Sequence, residues 1–117
     1  MRKTLLPLLA ALACHPALTA SDAEKQAEDF TNLYINTCIT HLADLDKLRE
    51  KLKDLPPVPK EAADIYLAQQ EGGAWIVPHE PENYVIAIMK DKNYCAVFAH
   101  HIDAAEVEKR YLKTINQ

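Results

Sequence analysis

YVIAIMKDKNYCAVFAHH, residues 84–101, decides how the chain folds. Tyr84–Lys90 is apolar at odd and even positions alike, Asp91-Lys92-Asn93 is polar and turn-forming, and Tyr94–His100 resumes with apolar residues at alternate positions. This is the pattern of two antiparallel strands joined by a tight hairpin. A strand apolar on both sides needs cover on both sides. It is either the centre of a sheet or has one face closed when two subunits meet. Ala74–Val77 supplies a third strand, and the connection Pro78–Asn83 is short enough to keep the three in an antiparallel meander.

The segment before the sheet is helical in pattern. Phe30, Leu33, Tyr34, Thr37, Cys38, His41, Leu42, Leu45, Leu48 and Leu52 recur at three- and four-residue steps, with Lys25, Asp29, Asn32, Asn36, Asp44 and Lys47 opposite them. A straight helix over 22–53 would be about 48 Å long, too long for a domain of this size. A bend or break is expected near the β-branched stretch Thr37–Thr40, or else an extension into a dimer. Leu55-Pro56-Pro57-Val58-Pro59 ends the helix and makes a rigid corner, with recognition by a proline-binding domain as the alternative reading. Lys60–Gln70 reads as a short second helix, with Pro59 in its first turn and Gly72-Gly73 as its C-cap. Asp103 and Glu106 have capping-box spacing, and Val107, Tyr111, Leu112 and Ile115 give the last helix an apolar side. The expected fold is α+β in the order α-α-β-β-β-α.

The N-terminus carries Arg2 and Lys3, an apolar run from Thr4 to Ala13, Pro16, and small residues up to Ala20. That is the layout of a secretory signal peptide, with cleavage after Ala20, and the apolar run is shorter than the roughly 20 residues of a membrane span. Cleavage after Ala23 and lipidation of Cys14 are the alternatives. The domain organisation is then a signal peptide, 1–20, and a single α+β domain, 21–117, exported to the periplasm or secreted, with no integral membrane segment. Of the 13 Lys and Arg, two fall in the signal, so the domain carries 11 against 17 Asp and Glu, a net charge of −6. A net charge of this sign argues against nucleic acid and an anionic membrane surface as partners, since both reward a basic patch.

Cys38 lies on the apolar stripe of the first helix and Cys95 in the third strand. In an oxidising compartment two cysteines in a small domain are most simply a disulfide, and closing a loop of about 58 residues stabilises by roughly 4 kcal/mol. Two other readings compete for the sulfurs. A zinc site would need Cys38 and His41, one helical turn apart, to meet Cys95 and His101, but His101 lies about 20 Å along the strand from Cys95. A cysteine nucleophile with a histidine base needs flanking residues that the sequence does not contain. The sequence indicates no catalytic residue, metal ligand set or cofactor.

Three histidines and one tryptophan remain. His79, His100 and His101 read either as a metal-binding or pH-sensitive patch or as solvated strand ends. Trp75, after Gly72-Gly73, either packs on a helix or, exposed, anchors a peptide or sugar that the glycines let approach the backbone. The signal peptide, Cys38 in Phe30-x7-Cys38, the Trp75 strand and Tyr94-Cys95-Ala96-Val97 together resemble a loose group of small, functionally uncharacterised periplasmic proteins of Gram-negative bacteria. The resemblance implies an α+β fold with a helix-to-strand disulfide, sometimes dimeric, and no activity. The functional expectation is a non-enzymatic binding or protein-interaction module, with Trp75, His79, His100 and His101 as its candidate surface, another protein as its partner, and homodimerisation through the sheet as an option. An immunity-type inhibitor of an exported toxin and a small metal or thiol enzyme are the alternatives.

Overall fold

The computed structural model describes residues 20–116. The expected signal peptide, its cleavage point and Cys14 lie outside or at the edge of that range. Four α-helices and one sheet follow in the order α1 (Ala20–Tyr34), α2 (Leu45–Leu52), α3 (Lys60–Tyr66), β1 (Gly72–Val77), β2 (Tyr84–Met89), β3 (Cys95–Phe98) and α4 (Ala104–Ile115). The expected α+β fold is the observed one, with the long first helix divided in two.

The division falls where the β-branched residues are. Ile35–Ile39 forms a π-helical turn, in which the Thr40 amide donates to Ile35 O at 3.0 Å, five residues back. The hydroxyls of Thr37 and Thr40 donate to Leu33 O and Ile35 O, at 2.6 and 2.7 Å, and compete with the regular helical ladder. The chain then turns, and Asp44 caps α2 by accepting from the Lys47 amide.

β1, β2 and β3 form an antiparallel sheet in that order, with Trp75 opposite Ile86 and Ile86 opposite Val97. β2 is the central strand, and its two apolar faces meet two different layers. Ile86 and Ile88 point to Cys38, Leu45, Leu48 and Leu52 of the π turn and α2. Ala87 and Met89 point the other way, to Ala63 and Leu67 at α3. Full burial of a side chain such as Ile86 or Leu48 stabilises by about 2 kcal/mol, so the first layer carries most of the core. The outer helix α4 has no buried residue and rests on α1 through a Glu28–Arg110 ion pair at 3.3 Å and the rings of Tyr34 and Tyr111.

Three local expectations are corrected. The second helix ends at Tyr66 rather than Gln70, and the left-handed residues that end it are Ala68 and Gln69, with φ of 50° and 65°. Gly72-Gly73 is therefore no C-cap but the start of β1, where the glycines serve close approach instead. A Cβ on Gly73 would stand 2.6 Å from the Trp75 ring, and one on Gly72 would collide with Ile88 O. The third strand stops at Phe98, so His100 and His101 lie beyond it.

Cys38 and Cys95 form a disulfide, with Cα atoms 5.4 Å apart and 57 residues of separation. It joins the π turn to an edge strand. Replacing both cysteines by alanine is expected to lower unfolding stability by about 4 kcal/mol, as measured by urea unfolding of the oxidised and variant proteins. Equal midpoints would show that packing alone holds β3 in place.

Candidate functional site

The sequence-selected residues fall into three places. Trp75 lies on the face of β1 that points to the α2 layer, half-buried against the core, with its ring over Gly73. It also lines a cleft of about 670 Å³, within the size range of small-molecule and peptide sites. The cleft exists because one edge of β1 is only half closed. Pro56 O accepts from the Ile76 amide and the Val58 amide donates to Ala74 O, both bonds being 2.8–2.9 Å, so Pro56–Val58 pairs with the second half of the strand. Pro59 then turns the chain away into α3. The alternation of an antiparallel ladder leaves the amide and carbonyl of Gly72 and the amide of Ala74 pointing outward, along the unpaired half.

Around that edge stand Arg49, Lys60 and Lys90, with Asp64 and Glu71. Arg49 is held firmly, since it pairs with Asp46 at 2.5 Å and donates to Met89 O at 2.7 Å. Lys90 faces Glu71 at 3.7 Å with both side chains largely in water, a contact of little energetic weight. The cleft therefore offers a half-open strand edge, an aromatic wall and a rim of mixed charge.

His79 is elsewhere, at the junction of α1 with the β1–β2 connection. Its Nε2 lies 3.0 Å from Asp29 Oδ2, and the Asp29 carboxylate also accepts from Lys25 at 2.7 Å. The imidazole stacks on Tyr84, with ring centroids 4.3 Å apart, and Tyr84 in turn meets Phe30 edge-on. Glu82 continues the network. It accepts from the His101 backbone amide at 2.6 Å and lies 3.2 Å from His101 Nδ1. His79 Nδ1 lies 3.3 Å from the backbone oxygen of Glu82, so His79 and His101 are linked through Glu82, whereas Trp75 belongs to the separate cleft. His100 is exposed beside His101, ring to ring at 5.5 Å.

This network holds its carboxylates ionised. The hydrogen bond from Lys25, assisted by His79, lowers the Asp29 pKa, and the His101 amide lowers that of Glu82. Burial, with the charges of Asp29 and Glu82, pushes the Tyr84 phenol up to about 12.

The sulfurs are committed to each other, which removes the two thiolates that the zinc and nucleophile readings require. His41, the helix residue nearest Cys38 in those readings, donates from Nδ1 to Thr37 O at 2.8 Å and is nine-tenths buried. Among the described residues no three His, Cys, Asp or Glu side chains converge on one metal position. Nor is any described helix long and apolar enough to cross a membrane. Compared with known proteins, the chain matches no family model, no curated protein and no solved structure.

Sequence reasoning missed Asp29, Glu82 and Arg49 as organising residues. Asp29 and Lys25 have helical ion-pair spacing and look like a solvated face. The partner that gives Asp29 its role, His79, is 50 residues away. Because Asp29 and Glu82 have folded-state pKa values below their ordinary 3.8 and 4.5, their contribution is complete above that range and is lost as pH falls through the lowered values. Stability is therefore expected to drop from about pH 5 downward, with a smaller drop in Asp29→Asn. Urea midpoints at pH 6 and pH 3 check this, and an equal drop in the variant would remove Asp29 from the account.

Proposed function

We infer that the protein is an exported, non-enzymatic binding module that meets its partner, another protein, through the Trp75 cleft. The observation that carries this reading is the half-open edge of β1. A strand edge with outward amides and carbonyls, an aromatic wall and a charged rim is a surface suited to an extended polypeptide segment. Lys60 is the rim cation without an ion-pair partner among the described residues, and it is the group placed to meet an acidic residue of such a segment. Export is supported by the signal-like N-terminal sequence and by the disulfide, which persists in oxidising compartments. The bridge also supports the non-enzymatic reading, because it leaves neither sulfur free as a nucleophile.

The test uses the mature protein as bait in periplasmic extract, alongside a Lys60→Glu, Lys90→Glu double variant, which alters only the exposed rim. A partner enriched by the wild type is expected to be lost by the variant. Since Trp75 is the only tryptophan, adding that purified partner is also expected to shift the emission maximum of the wild type. Equal capture by both baits, with unchanged emission, would place the contact elsewhere and sink the assignment of this cleft.

A further inference from the structure

The opposite edge of the sheet carries a second site. β3 is the last strand, and the Met89 amide donates to Tyr94 O, which fixes the phase of the β2–β3 ladder. Residues 94, 96 and 98 turn their backbone groups toward β2, and Cys95 and Val97 turn theirs outward. No described strand lies beyond them. These outward groups border a groove of about 540 Å³ whose other walls are α1 and α4.

The groove is apolar and aromatic. Phe30 and Tyr34 of α1 face Ile102, Val107 and Tyr111 at α4, and the one charged residue in the lining is Glu108, which is exposed. Thr31 completes the wall contributed by α1. Its hydroxyl is the one buried side-chain polar atom without a hydrogen-bond partner among the described residues, and Thr31, only 1% exposed, belongs to this lining.

A strand edge selects its occupant more narrowly than an apolar hollow does. Alternating outward amides and carbonyls match a polypeptide backbone, whereas a purely apolar molecule would leave them unpaired. The carboxylate of Glu108, on an acidic domain, favours a basic residue in that polypeptide. We propose that the groove beside β3 receives an extended peptide, apolar at alternate positions and carrying a basic residue, as a fourth strand of the sheet. The Cys95 and Val97 amides donate to its carbonyls, their carbonyls accept from its amides, its apolar side chains lie between α1 and α4, and its basic residue meets Glu108. β3 is four residues long, about 13 Å, so a segment of about six residues covers it.

The experiment uses the mature, oxidised protein and a fluorescein-labelled probe, acetyl-Lys-Val-Tyr-Val-Lys-Val-amide, followed by anisotropy. Binding is expected in the micromolar range, weakened about tenfold or more when every peptide amide is N-methylated and several-fold in Glu108→Lys. Hydrogen exchange at the Cys95 and Val97 amides is expected to slow when the probe is added. The rim variant Lys60→Glu, on the other edge, is expected to bind the probe as the wild type does, so this site stands or falls separately from the Trp75 cleft. Absence of binding, equal binding of the N-methylated probe, or unchanged affinity in Glu108→Lys would each overturn the proposal. So would a dimer in which the Cys95 and Val97 amides are already protected, because a second copy would then hold the edge.

Discussion

The disulfide between Cys38 and Cys95 is the constraint on which the remaining architecture depends. It ties a π-helical turn, the point where the N-terminal helical segment changes direction, to a four-residue edge strand that has one strand neighbour. Neither piece is secure by itself. A short edge strand has half the ladder of a central one, and a π turn is a costly interruption of a helix. Joined, each limits the movement of the other, and Cys38 is 2% exposed at the centre of the main core cluster. The bridge thus acts inside the hydrophobic layer, where loss of registry would cost packing as well as chain entropy.

The two-sided burial of β2 explains why the candidate sites lie at the edges. Ile86, Ala87 and Ile88 are fully buried, so neither face of the central strand offers a surface. What remains are the outer edges of β1 and β3, and the chain closes them differently. The PPVP segment covers half of β1 and leaves charged side chains around the other half. α4 stands beside β3 without burying any of its own residues, leaving an apolar hollow there. One small sheet consequently presents a charged edge and an apolar edge, with an opaque strand between them.

Much of this was legible in the chain. The run Tyr84–Met89, apolar at every position, pointed to a covered central strand, and two cysteines in elements expected to pack together pointed to their bridge. The break in the helix was readable from the β-branched stretch Thr37–Thr40, whose side chains crowd the preceding turn. The π geometry was not, since the bond from the Thr40 amide to Ile35 O, five residues back, has no signature in residue spacing. The end of α3 escaped for a related reason. Glycine is the usual left-handed residue, but here Ala68 and Gln69 accept that strain while Gly72 and Gly73 are reserved for close contacts with Ile88 and Trp75. The histidines divided along lines that spacing does not encode: His79 found Asp29 across 50 residues, and His100 and His101 fell beyond the strand expected to carry them.

That division gives the Lys25–Asp29–His79–Tyr84 network a mechanical place in the molecule. α1 is the platform for α4, and α4 is the outer wall of the β3 groove, so the position of that wall depends on how α1 is held against the sheet. At one end α1 continues into the π turn and the disulfide. Five residues before that end it is held by Asp29 to the β1–β2 connection, and Glu82 in that same connection grips the backbone at His101, three residues before α4 begins. The polar network and the bridge therefore secure the same groove from two sides, one by charge-assisted hydrogen bonds and one covalently. Low pH weakens the first and reduction breaks the second, so the two conditions act on one structural element by independent chemistry.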